Sequence, residues 1–189
     1  MKPCAPEGTG AAKPRVVIHK GYEMHGVVLV GHGGIAKDCP PELVSKLKRL
    51  EAHRRASGTP PTAEEQELDA TIRRWPRTSV TDPYQAGLET VGATFRSLLD
   101  GALFVLAYNE FCSPSVEESI EHLIGQGATH ITVVTTMFTP GGTHSEVEIP
   151  EILHRMRSKH PQVPIQYAWP FEASLIAHVL KEQLRRFTR

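Results

Sequence analysis

Residues 26–34 read GVVLVGHGG: four consecutive aliphatics, Val27 to Val30, three of them β-branched, run straight into a glycine-rich turn. A run of that length with no polar alternation predicts a strand covered on both faces. Similar apolar runs return downstream as ALFVLAY (102–108), HITVVTT (130–136) and VPIQYAW (163–169). Helical patterns fill the intervals. Pro41 opens one in which Leu43, Val44, Leu47 and Leu50 recur at helical spacing, and SGTPP (57–61) ends it. Thr62 with Glu65 forms a capping-box pattern for a second, polar helix toward Trp75, and a third spans Tyr84 to Leu99. Ser113 followed by Pro114 marks an N-cap and first turn for a helix reaching Gly125. Two more are expected over Glu146–Lys159 and Glu172–Phe187. Strands alternating with helices imply right-handed crossovers, hence an α/β fold: one open, parallel, four-stranded sheet with helices on both faces.

One interval breaks the rhythm. From His32 to Leu103 the chain spends 71 residues on a single strand-to-strand crossover, where one helix usually suffices. The surplus, about residues 37–83, reads as an inserted helical hairpin beside the mouth of a cleft. Residues 1–25, rich in Gly, Pro and Ala, read as a loosely held arm. RVVIH (15–19) within it is a candidate edge strand, and Met24 a candidate natural start. The expected organisation is therefore this arm followed by one domain over 26–189.

Composition excludes several classes. The 21 basic and 21 acidic residues cancel, which argues against a general nucleic-acid or anionic-membrane binder. Three dispersed cysteines, Cys4, Cys39 and Cys112, make neither a disulfide framework nor a structural zinc site. No apolar run is long enough to span a membrane, and the N-terminus lacks a signal-peptide core. The expectation is a cytoplasmic enzyme or binding protein.

In an open parallel sheet, ligands bind outside the carboxyl ends of the strands. There the order of elements places His32 after the first strand and Asn109 and Glu110 after the second. His144 follows the third, and Trp169, Pro170 and Phe171 the fourth. Each has a plainer reading, the histidines as capping residues, Glu110 as a solvated loop residue, the aromatics as core lids. Two histidines on one edge are more telling than either alone. The other eight of ten histidines carry no assignment. Arg73, Arg74 and Arg77 read as a solvated basic face, with ligand contact as the sharper alternative. A nucleophile elbow and a phosphate loop are both absent, and GHGGIA does not satisfy GxGxxG. Imidazoles with vacant positions suit Fe, Co or Ni better than structural zinc.

The segments VVLVGHGG (27–34), AYNEFCSPSVEESIEHLIGQGATHITVV (107–134) and GGTHSEVEIP (141–150) resemble the small sirohydrochlorin chelatases, class II chelatases. The resemblance covers residues 26–34 and 84–187. It implies a lyase that inserts Co²⁺ or Fe²⁺ into sirohydrochlorin, in cobalamin or siroheme biosynthesis. By resemblance, His32 and His144 match the two active-site histidines that bind the metal and help take up pyrrole protons, and Glu110 matches an acidic position. Gly33, Gly141 and Gly142 are the positions where backbone can approach a flat ligand. No permanently bound cofactor is implied; the divalent ion (Co²⁺, Fe²⁺ or Ni²⁺) is a substrate, and the tetrapyrrole is the small-molecule partner. A homodimer is implied because larger relatives resemble two such lobes in one chain, and C₂ closure would restore the second. The chain departs from the family's GHGSR at Gly34 and Ile35, and carries Glu148 where Asp is usual. A non-catalytic tetrapyrrole or metal carrier using the same histidines is the alternative reading.

Overall fold

The computed structural model describes residues 23–188, so the candidate strand at 15–19 lies outside the described residues. The four expected strands form one all-parallel sheet in the order β2-β1-β3-β4. Their limits are His25–Gly31 (β1), Leu103–Tyr108 (β2), His130–Thr135 (β3) and Ile165–Tyr167 (β4). β1 thus starts inside the segment read as arm. β4 is shorter than VPIQYAW because it is an edge strand, paired only with Ile131, Thr132 and Val133.

Alternation along the strands feeds two layers. Val28, Val30, Ala107, Ile131, Val133 and Ile165 meet α4 (Val116–Gly125) and α5 (Ile149–Lys159) through Ile120, Leu123, Leu153 and Met156, all buried. On the other face, Leu29 and Tyr108 pack against Leu88 of α3 (Pro83–Arg96). Gly92 lets α3 sit close to β2, since a Cβ there would meet Leu106 Cδ2 at 2.7 Å. That second face is covered mainly over β1 and β2, while β3 alternates buried with half-exposed residues. The last helix, α6 (Ala173–Arg185), buries no residue and exposes Leu175, Val179, Leu180 and Leu184.

Two helix starts differ from their sequence signals. Ser115, not Ser113, caps α4, in a complete capping box with Glu118. The Pro114 carbonyl accepts the Tyr108 N–H at 2.9 Å, and the Tyr108–Ser115 bridge so formed lengthens the sheet edge by one rung. At Thr62 only half the box forms: its hydroxyl accepts the Glu65 N–H, but the Glu65 side chain turns inward to Arg54 Nε at 2.7 Å.

The long crossover contains α1 (Pro41–Ser57) and α2 (Ala63–Arg73), joined by residues 58–62 into a hairpin. The hairpin has its own small core of Ala36, Cys39, Val44, Leu47 and Ile72, completed by Phe111 from the turn after β2. It is therefore packed into the domain, not appended to it. Arg77, just past the hairpin, is the staple. Its side chain is 6% exposed and pairs with Asp82, itself 2% exposed and the N-cap of α3. The same guanidinium donates to the carbonyls of Gly34, Phe111 and Ile72. Arg73 donates to the Asn109 and Cys112 carbonyls at 2.9 and 3.0 Å. Neither belongs to a solvated basic face; both satisfy turn carbonyls that the sheet leaves open.

Removing one member of a buried ion pair strands the other without compensation, typically at 3–5 kcal/mol. Arg77→Met is therefore expected to destabilise the protein by about 3–5 kcal/mol in urea unfolding. A loss below about 1 kcal/mol, the range of exposed pairs, would show that Arg77 is not the staple described.

Candidate functional site

The strand order sets the carboxyl ends of β2, β1 and β3 side by side, and the direction of winding reverses at β1. Such a switch point is where open α/β sheets bind ligands. The residues delivered there are Glu110 after β2, His32 after β1 and His144 beyond β3. Ligand atoms of these three half-buried side chains all lie within 4.8 Å of one another. The two imidazoles meet edge to face, with ring centroids 4.6 Å apart and planes at 88°.

Each ring is held by its Nδ1. His32 Nδ1 lies 2.8 Å from the Gly33 carbonyl oxygen. A carbonyl only accepts, so Nδ1 carries the proton and Nε2 keeps a lone pair. His144 Nδ1 lies 2.7 Å from Glu148 Oε2, four residues on along the same face. Asn109 Nδ2 stands 2.9 Å from that nitrogen and 2.8 Å from the same carboxylate oxygen. With Glu148 ionised, both groups donate to it, and His144 Nε2 is also left as an acceptor. Burial pushes the Glu148 carboxyl up, but hydrogen bonds from His144 and Asn109, with the Arg55 charge, outweigh it and hold the group below the ordinary carboxylate range. This is the carboxylate–histidine pairing that orients metal ligands.

Local sequence explains the placement. His144 is not in a loop before the helix; it begins a single π-helical turn, His144–Glu148, that leads into α5. Pro150 cannot donate to the Glu146 carbonyl, and its ring crowds that oxygen. The turn widens instead, and the Ile149 N–H bonds the His144 carbonyl five residues back. On the facing turns, Gly33 has φ +95°, and a Cβ there would stand 1.8 Å from the Glu110 carbonyl oxygen. Phe111 takes a left-handed φ of 57°, rare for a residue with a Cβ. Its ring is anchored in the hairpin core and under Lys48 Nζ, 5.6 Å from the centroid, which fixes the adjacent Glu110.

Other sequence candidates take varied places. Gly141 has φ +91° and open space around its Cβ position, while Gly142 faces Ser145 Oγ. Trp169 and Phe171 join Phe138 and Tyr167 in an aromatic cluster at the end of β4. Burial, with the Glu146 charge, raises Tyr167 to about 12, so it stays a neutral donor to the Ser145 carbonyl at 3.1 Å. The tyrosine thereby braces the π turn. Sequence reasoning gave Glu148 no part in the site; its i,i+4 spacing from His144 was the available signal. The sequence marks Asn109 only by position, and the bond from the His32 N–H to the Tyr84 hydroxyl at 2.7 Å has no local signature.

A cleft of about 750 Å³ opens from Glu110, Asn109 and Glu148 between the hairpin and α5. Burial first, then the Glu110 charge, push up the carboxyl of Glu51, which the hairpin contributes to this cleft. Two imidazoles and one carboxylate make an incomplete coordination set for a divalent first-row ion, with positions left over for a second ligand.

A family model described as CbiX matches residues 78–187. The sirohydrochlorin ferrochelatase of Priestia megaterium is 33% identical over 73 residues, 39% of this chain and 27% of that protein. That of Bacillus subtilis (strain 168) is 35% identical over 65 residues, 34% of this chain and 24% of its own. The chain thus spans about a quarter of the length of the curated relatives it matches. Among solved structures, the sirohydrochlorin chelatase SirB from Bacillus subtilis subspecies spizizenii in complex with cobalt aligns at 21% identity and TM-score 0.43, over 78% of this chain and 43% of that one. The cobalamin (vitamin B12) biosynthesis CbiX protein from Marinobacter aquaeolei VT8 aligns at 20% identity and TM-score 0.49, over 86% and 98%. The matched region begins after the GHGG turn and after the α1–α2 hairpin.

Glu148→Gln keeps the shape but removes the charge that holds His144 Nδ1–H. Co²⁺ affinity measured by calorimetry is expected to fall about 10- to 100-fold, with the melting temperature little changed. Wild-type affinity would remove Glu148 from the site.

Proposed function

The chain belongs to the CbiX family, and from that premise we propose that it inserts a divalent metal ion, Co²⁺ or Fe²⁺, into sirohydrochlorin. The observation that carries this reading is the His32–Glu110–His144 cluster, three ligand groups within 4.8 Å at the open edge of the sheet. Insertion exchanges two pyrrole protons for one M²⁺. The site must therefore hold the ion loosely, present it to a flat ring and accept two protons. His32 and His144 hold the metal through Nε2, with Glu110 as third ligand. As the ion passes to the macrocycle nitrogens, the released imidazoles and carboxylate become free bases beside the departing protons. Glu148 and Asn109 keep the His144 ring aimed throughout. No helix among the described residues is long and apolar enough to cross a membrane. A carboxylate-rich, water-soluble substrate suits a cytoplasmic setting.

The same reading includes a homodimer. With the hairpin already walling one side of the site, support for a partner comes from α6. Its exposed Leu175, Val179, Leu180 and Leu184, each 58–66% accessible, form an apolar stripe on which nothing packs among the described residues of one copy. An amphipathic helix gains most of its stability by burying such a face. A second copy, through a two-fold axis, provides an equivalent stripe.

Purified protein mixed with sirohydrochlorin and Co²⁺ or Fe²⁺ is expected to change the absorbance catalytically, many equivalents per chain. Saturation at stoichiometric protein would mark a carrier instead. His144→Ala and His32→Ala should each lower the rate about a hundredfold or more; wild-type turnover in both would refute the assignment. Light scattering at micromolar concentration should give twice the 20.9 kDa chain mass, and Leu180→Glu should return the monomer. A wild-type monomer with full activity rules out the dimer.

A further inference from the structure

Resting on the chelatase reading above, we infer that Arg55 of the hairpin and Arg155 of α5 grip peripheral carboxylates of the tetrapyrrole from opposite walls of the cleft. Four arginines line it: Arg54, Arg55, Arg73 and Arg155. Two are committed. Arg54 pairs with buried Glu65, and Arg73 is taken up by Asp69 and the Asn109 and Cys112 carbonyls. The other two are open, each with a side chain 59% exposed. Arg55 has one partner, Glu148 Oε1 at 3.4 Å, at the limit of a hydrogen bond. Arg155 uses Nη2 alone, on Glu117 Oε1 at 2.7 Å, leaving Nε and Nη1 available.

Charges in the cleft are sorted by depth. Glu51, Glu110 and Glu148 are half-buried, whereas Arg55 and Arg155 stand at the exposed mouth with a single exposed carboxylate, Glu151. A cation is drawn to the interior and an anion to the rim. A tetrapyrrole whose nitrogens face the metal ligands presents its carboxylates outward, at the level of the two guanidiniums. The planar fork of arginine matches carboxylate bidentately, which exposed surface pairs do not exploit for stability. With 21 basic and 21 acidic side chains the chain has no net field to attract a polyanion, so recognition falls to particular groups. Arg55 lies in the hairpin, outside the region that the family model matches, whereas Arg155 lies within it, so one half of the grip belongs to the insertion.

The probe is sirohydrochlorin itself, titrated without metal into the full chain and followed by its absorbance. Arg55→Gln and Arg155→Gln should each weaken binding several-fold, and the double variant about tenfold or more, as lost charge-assisted hydrogen bonds require. Glu151→Gln, which removes the exposed opposing charge, should tighten binding, a gain that misfolding cannot imitate. Wild-type affinity in the double variant overturns the grip, as does unchanged or weaker binding in Glu151→Gln. If the unaltered chain neither binds sirohydrochlorin nor inserts metal, the chelatase reading falls as well; intact insertion with unaffected variants overturns the grip alone.

Discussion

The closest constraint in the molecule is the space at residue 33, where a Cβ would stand 1.8 Å from the Glu110 carbonyl oxygen. Only glycine lets the turn after β1 lie directly on the turn after β2, and the Glu110 N–H closes the contact on the His32 carbonyl at 2.8 Å. That contact sets the separation of His32 and Glu110. Arg77 then binds both turns at once, through the Gly34 and Phe111 carbonyls. Phe111, held in a left-handed conformation, aims its neighbour into the site. A glycine, a buried guanidinium and a strained aromatic thus fix two of the three candidate metal-ligating groups.

The third group is fixed by different means. His144 rides on a π turn forced by Pro150 and braced by Tyr167 and Glu148. Backbone contact fixes the β1 and β2 side, and a hydrogen-bonded carboxylate fixes the β3 side. The resulting candidate ligand set is incomplete, as the proposed hand-over of an ion requires, since such an ion must not be fully enclosed. Half-burial of all three groups also leaves them within reach of a ligand entering from the sheet edge.

The hairpin changes what kind of site this is. Its interior residues share a core with Phe111, its arginines finish the turn carbonyls, and its outer face walls the cleft with Glu51 and Arg55. A segment that lengthens the crossover has become structural support, electrostatic environment and second wall together. Among the described residues the apolar stripe of α6 stays uncovered, which is what the proposed dimer would bury.

The sequence by itself determined the sheet and the edge at which the candidate site lies. Runs such as VVLV and LFVLAY read as sheet strands, the second only partly buried because β2 lies at an edge, and strand–helix alternation places whatever follows each strand at one rim. His32, Glu110 and His144 were legible for that reason. The long crossover was equally plain from its residue count. Tertiary structure alone decided which distant groups meet. Glu65 abandons its local cap for Arg54, Arg73 and Arg77 turn inward to carbonyls far along the chain, and Arg55 reaches Glu148, 93 residues away. Local propensity is written in neighbouring residues, whereas a buried charge or open carbonyl is satisfied by whatever the fold brings within 3 Å of it.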